Sequence, residues 1–280
     1  MIGTASAPAS SANLGPGFDC LGLALELRCV VAAVPSDSWE LEEGGAITAL
    51  EPGDLVLSAA QAVADEPHRI TITNEIPRAR GLGSSAAVIV ATAAAVLRSR
   101  GLEPTGEDLF AIANELEGHG DNAGAAVFGG LVGAMGDSLA HLTLHPSVRI
   151  VVAIPDIHLK TQAARNALPA HVPHGAAARN VGRVAFLVEG LRSGNAEILA
   201  MARGDELHET YRASLSPLTG ELIKAALDSG AMHAGWSGAG PTALAFVTDS
   251  TVAAVTAELE HVLQDGGEIR QLGVATTGWR

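Results

Sequence analysis

The run from Pro77 to Ala87, read Pro-Arg-Ala-Arg-Gly-Leu-Gly-Ser-Ser-Ala-Ala, constrains this chain more than any other stretch. Gly81 and Gly83 let the backbone turn where a Cβ would clash. Ser84 and Ser85 then open an apolar, alanine-rich segment that continues to Leu97 and reads as a helix. The first N–H groups of such a helix have no internal partner and face whatever lies at its start. Phosphate oxygens suit that position. The run is not a Walker loop, because no Gly-Lys-Ser or Gly-Lys-Thr occurs and the only lysines are Lys160 and Lys224. Taken alone, it equally fits a glycine-opened core helix with no ligand.

A chain of 280 residues holds one large or two ordinary domains. Aromatic residues make up only 3% of it against 48% hydrophobic, so the core must be built from Ala, Val, Leu and Ile. The net charge of −14 excludes a general nucleic-acid binder, which needs a basic footprint to displace counterions. An anionic ligand must therefore be met by local arginines or by a metal ion. Cys20 and Cys29 are the only cysteines, without zinc-type spacing, and read as reduced thiols. The start of the chain lacks the pattern of a signal peptide. The longest charge-free apolar run, Ala86 to Leu97, falls short of the about 20 residues that span a bilayer. The expectation is a soluble cytoplasmic protein with no membrane or nucleic-acid partner.

Hydrophobic spacing predicts α/β alternation. Strands are expected at 4–10, 21–34, 69–74, 129–135, 139–144 and 149–154, with helices at 55–65, 84–99 and 105–117. Beyond Pro155 the expected helices are 161–168, 176–192, 195–210, 219–229 and 251–264. Strands are expected there at 232–237, 242–248 and 268–275. A boundary near 146–156 divides the chain into units 1–150 and 151–280.

Two more glycine-rich segments accompany the first. Pro8 to Gly22 contains Asn-Leu-Gly-Pro-Gly-Phe-Asp, a turn between strands that puts Asn13 and Asp19 at one end. They either read polar groups of a small substrate or merely bond nearby backbone. Gly235-Trp-Ser-Gly-Ala-Gly-Pro241 lies between two strands, where its glycines allow close backbone approach to the first half or to a ligand. In order and spacing the three segments resemble the motifs of the GHMP kinase superfamily over essentially the whole chain, and the N-terminal one, with Ser-Ala-Asn-Leu-Gly-Pro-Gly-Phe-Asp, is similar to its homoserine kinase branch. The resemblance implies a mixed α/β, two-domain GHMP kinase fold. Its N-terminal domain would be like ribosomal protein S5 domain 2 and its C-terminal domain ferredoxin-like, with ATP and substrate in the cleft between them.

The same resemblance assigns roles. Pro77, Arg78, Ala79, Arg80, Gly81, Leu82, Gly83, Ser84, Ser85, Ala86 and Ala87 would wrap the ATP phosphates. Mg²⁺ would be held by Glu117 and a hydroxyl of Ser84 or Ser85; one carboxylate suffices for an ion that keeps water and phosphate ligands. Glu115 competes with Glu117 for this place. Asn13, Asp19, His119 and Asn122 would face L-homoserine, with Arg165 and Arg212 gripping its carboxylate. Ser85, Thr161 and Asn122 would serve the transfer itself. Asn122 stands where related kinases carry an aspartate base, and an amide cannot accept the proton, so direct in-line transfer is implied. Gly120 departs from the commoner His-Pro-Asp-Asn form, and Asp54 from the commoner Asn-Leu-Val. The alternatives are a kinase of another small hydroxylated amino acid or alcohol, and a nucleotide-binding sensor without turnover. The resemblance also implies a homodimer.

Overall fold

The computed structural model describes residues 1–280. Two long strands, β1 (Gly3–Asn13) and β2 (Gly17–Pro35), form the spine of a seven-stranded sheet. The sheet also contains β3 (Glu40–Glu43), β4 (Ala46–Ala49), β5 (His68–Asn74), β6 (Leu131–Met135) and β7 (Ser138–Leu142), in the order β4-β3-β5-β2-β6-β7 with β1 on β2. Helices α1 (Leu55–Gln61), α2 (Ser84–Ser99), α3 (Gly106–Glu117) and α4 (Gly120–Phe128) pack with it. Helix α2 is buried almost all round. Its small side chains, Ala86, Ala87, Ala91 and Ala93 to Ala95, let it lie close to β1 and β2. Thr105 caps α3 by accepting from the Asp108 N–H at 3.1 Å, and Glu107 and Asp108 complement its first turn.

The second sheet is antiparallel, in the order β11-β8-β10-β9. It comprises β8 (Arg149–Pro155), β9 (His233–Trp236), β10 (Ala243–Val247) and β11 (Gly267–Leu272). Between β8 and β9 run α5 (Thr161–Asn166), α6 (His174–Ser193), α7 (Ala196–Met201), α8 (Glu209–Arg212) and α9 (Pro217–Asp228); α10 (Val252–Leu263) links β10 to β11. This order is that of a ferredoxin-like sheet. Period-two alternation divides β8 between two cores. Ile150, Val152 and Ile154 join the large core shared with the first sheet, while Val151 and Ala153 pack with Leu222, Val255 and Leu259 of α9 and α10.

Several sequence expectations change. The expected helix 195–210 stops at Met201, because Gly204 adopts φ +87° and Asp205 accepts from the N–H groups of Leu207, His208 and Glu209, restarting the chain as α8. Strand β6 begins at Leu131, since Gly129 and Gly130 have positive φ. Helix α4 and the β3–β4 hairpin were not expected. The last strand ends at Leu272, and the segment beyond it crosses to the first sheet, where Arg280 and Ser6 exchange backbone hydrogen bonds of 2.8 and 2.9 Å.

Candidate active site

The three glycine-rich segments meet at one cavity of about 400 Å³ between the two sheets. At its middle is the start of α2. Gly83 is the N-cap at φ 62° and no side chain caps the helix, so its first N–H groups stay open to an anion. A Cβ on Gly83 would lie 2.0 Å from Ser10 Oγ, and one on Gly81 2.2 Å from the Ser237 carbonyl oxygen. The third segment thus closes onto the first half: Ser237 Oγ donates to the Gly81 carbonyl at 2.6 Å and Gly238 N to that of Ala12 at 2.8 Å. Asn74 Nδ2 donates to Ser84 Oγ at 3.0 Å, and Ser85 lines the same cavity as Glu117.

Most of the expected phosphate residues line the cavity; three do not present their side chains to it. Ala86 and Ala87 are fully buried in the core. Arg80 turns to the opposite side, where both Nη atoms reach Asp156 Oδ1 at 3.1 Å and Nη1 also bonds the Pro155 carbonyl.

Glu117 ends α3, Gly118 reverses the chain at φ 77°, and His119 occupies the N-cap position of α4 without capping it through its side chain. Gly120 occupies the first helical turn, where the commoner proline would lose no backbone bond, although a Cβ there would lie only 3.0 Å from Ala134 Cβ and 3.2 Å from Phe110 Cζ. Glu117 and His119 line the cavity, whereas Glu115 is exposed outside it. Burial pushes the Glu117 carboxyl up, against the opposing effects of Ser85 and His119. Burial acts to lower the His119 pKa, but the Asp121 carboxylate 2.8 Å from Nδ1, with Glu117, raises it overall. An oxygen-only set of one carboxylate and serine hydroxyls fits a hard cation such as Mg²⁺ and not a soft one. Asn122 is held by Ser10 Oγ, which donates to its Oδ1 at 2.8 Å, and by its own N–H on Asp121 Oδ1 at 2.7 Å.

The far end is charged and drawn from both halves. Asn13, Leu14 and Asp19 all have positive φ (69°, 53° and 51°), a conformation costly for residues with a Cβ. Asn13 pins the loop: its Oδ1 accepts from Asp19 N at 3.0 Å and its Nδ2 donates to the Gly238 carbonyl at 2.7 Å. Arg165 makes a bidentate pair with Asp19 at 3.0 and 2.8 Å. Arg212 converges on the same place; Phe18 lies under both guanidiniums, 5.9 Å from Arg165 Cζ and 5.2 Å from Arg212 Cζ. Burial pushes the Arg212 pKa down, and Arg165 adds to the effect. Thr161, at the start of α5, lines the cavity wall nearby.

Part of the cavity wall is apolar, formed by Leu41, Leu55, Val56 and Val88. Sequence reading missed these four. The alternation Trp39-Glu-Leu-Glu before Gly44-Gly45 is a strand-and-hairpin signal that could have supplied Leu41. Asp54 caps a backbone N–H, that of Glu51 at 2.7 Å, and lies outside this wall.

Comparison with known proteins adds a second line. The family described as GHMP kinases N terminal domain matches residues 54–130, and GHMP kinases C terminal matches 187–265. A homoserine kinase of Desulfitobacterium hafniense is 41% identical over 254 residues, covering 86% of each chain. The crystal structure of homoserine kinase from Cytophaga hutchinsonii superposes with a TM-score of 0.88 at 26% identity, covering all of this chain and 96% of that one. The Methanococcus jannaschii mevalonate kinase shares the fold, with a TM-score of 0.71 at 16% identity and 98% coverage of both chains. No helix is long and apolar enough to cross a membrane.

Proposed function

Because the chain belongs to the GHMP kinase family, we propose that it is an ATP-dependent homoserine kinase that converts L-homoserine to O-phospho-L-homoserine. The observation that carries this reading is the polarity of one cavity. An apolar wall suits a purine, an uncapped helix start suits phosphates, and an Asp–Arg pair with a second arginine suits an amino acid's two charges.

The α-carboxylate takes Arg165 and Arg212, and the α-ammonium takes Asp19. The Arg165–Asp19 pair is thereby exchanged for two complementary pairs, so neither charge is left buried alone. The γ-hydroxyl then points toward Asn122 and Thr161, and its oxygen attacks the γ-phosphorus in line. The new O–P bond forms as the bond to the β-phosphate bridging oxygen breaks, ADP leaves, and the hydroxyl proton passes to a phosphate oxygen. Asn122 orients and does not take the proton. The loose transition state makes positioning and charge stabilisation the main contributions. Glu117 with Ser84 or Ser85 would hold Mg²⁺, which supplies charge neutralisation at the phosphates when bound.

Incubation with Mg·ATP and a panel of L-homoserine, L-threonine, L-serine and mevalonate tests the assignment. The expected result is ADP release with a phosphorylated product, by mass, from L-homoserine alone. Selective phosphorylation of another alcohol would overturn the substrate, and ATP binding without turnover would overturn the enzyme.

A further inference from the structure

His208 does not reach the cavity, yet it holds two groups that shape the charged end. Its ring is fully buried and stacks on Phe18, with centroids 5.0 Å apart and planes inclined by 23°. Nε2 lies 2.8 Å from the Gly15 carbonyl oxygen, and Nδ1 lies 3.1 Å from Arg212 Nη1. A carbonyl only accepts and a guanidinium only donates. One protonation state satisfies both contacts: neutral imidazole with its proton on Nε2. An imidazolium would set an N–H against the N–H of Arg212. Burial, which pushes the His208 pKa down despite the nearby Asp205, favours the same state.

The choice of acceptor matters for Arg212. Its other hydrogen bonds go to backbone carbonyls, from Nε to Ala164 at 3.2 Å and from Nη1 to Gly238 at 3.3 Å. A carboxylate in place of His208 would orient the guanidinium equally well but would neutralise it, competing with an incoming substrate carboxylate. A neutral imidazole orients without discharging.

We propose that His208 is a positioning residue that fixes the Arg212 guanidinium and the Gly15 backbone in one geometry while leaving the arginine's charge for the substrate carboxylate. The identity of that carboxylate rests on the homoserine kinase reading. The position of the imidazole does not.

Three substitutions separate the two contacts. Asn places an acceptor where Nδ1 lies and loses the Nε2 donor; Gln keeps a donor near Nε2 and loses the Nδ1 acceptor; Leu loses both. His208→Gln and His208→Leu should raise KM for L-homoserine about ten- to a hundredfold, the scale of one hydrogen bond to a charged group. Their kcat and KM for ATP should stay within about threefold of the parent, and His208→Asn should recover most of the lost KM. Asn performing no better than Gln, or KM for ATP rising in step, would overturn the proposal. If the Leu variant fails to fold, the order of Asn and Gln decides. Imidazole ¹⁵N spectra of the unmodified protein give a readout independent of turnover. A bare Nδ1 at pH 7 whose resonance moves in Arg212→Ala supports the proposal, and a proton on Nδ1 overturns it. Failure of the parent to phosphorylate homoserine would sink the substrate assignment and leave the spectra to decide the role of His208.

Discussion

The two ends of the cavity are built by different means. The phosphate end is largely backbone: the free N–H groups of α2, set by two glycines whose missing Cβ atoms leave room for Ser10 and Ser237. The substrate end is side chains, with Asp19 and Arg165 separated by 146 positions in sequence and brought to within 2.8 Å. A backbone site depends on a single local run and tolerates exchange of its side chains. A side-chain site depends on two halves of the fold arriving in register, and each member is individually indispensable. Glu117 is the exception at the phosphate end, a carboxylate beside the Ser84 and Ser85 hydroxyls where the rest is backbone.

That exception gives the largest expected effect. Glu117→Ala should lower kcat by about two to three orders of magnitude, the scale on which one electrostatic group at a developing charge acts. It should also shift the Mg²⁺ dependence of ADP release, while Glu115→Ala, outside the cavity, leaves both unchanged. The reverse pattern in a magnesium titration would break the assignment of the carboxylate.

Arg212→Ala comes next and sharpens the contrast. Removing one buried, hydrogen-bonded charge of a recognition pair costs about 2–5 kcal/mol, so KM for L-homoserine should rise about thirtyfold or more. Binding of ATP, measured by calorimetry, should hardly change. Loss of both affinities together would mean that the two ends are not separable.

This difference in construction also explains what the sequence made legible. Helix α2 and its glycines are one contiguous run, so their geometry follows from local rules. Arg165 and Arg212 gave no local signal and were reached only through resemblance to a family. Arg80 shows what that route leaves out, because motif membership does not say which way a side chain turns. Helix α4 was hidden by the motif itself, since His119 to Asn122 reads as a polar turn until His119 is recognised as an N-cap. Gly204 and Asp205 end the expected helix 195–210 by a positive φ and a three-fold backbone cap that outweigh its apolar periodicity.

The support beneath the substrate end has its own pH signature. Glu209, on α8, accepts the Trp236 N–H at 2.7 Å, and burial pushes its pKa up to about 7. An unfolded glutamate titrates near about 4.3, so the folded chain keeps a proton that the unfolded chain has lost across the window between these values. The stability this contributes is full below about pH 4 and is lost as pH rises through about 7. Glu209→Gln keeps an acceptor for Trp236 but does not titrate. Relative to the parent it should gain on the order of 2 kcal/mol between pH 5 and pH 8. Denaturant unfolding at both pH values measures this; parallel pH dependence in the two proteins would show that Glu209 is ionised throughout.

Arg80 supplies the smallest effect and the sharpest challenge to the contrast between the ends. It sits inside the phosphate-loop run, yet its guanidinium is committed to Pro155 and to Asp156, whose side chain is 72% exposed. If the phosphate end is backbone plus Glu117, Arg80→Ala should change KM for ATP by no more than about threefold. Its stability loss should be about 1–2 kcal/mol, because Asp156 faces solvent but the Arg80 side chain is only 13% exposed and also donates to the Pro155 carbonyl. A tenfold or larger rise in KM for ATP would mean that Arg80 leaves Asp156 when nucleotide binds and adds a side-chain charge to the phosphates. Asp156→Ala separates these cases: freeing Arg80 should then tighten ATP binding if the arginine swings, and leave it unchanged if the loop binds phosphate through its backbone.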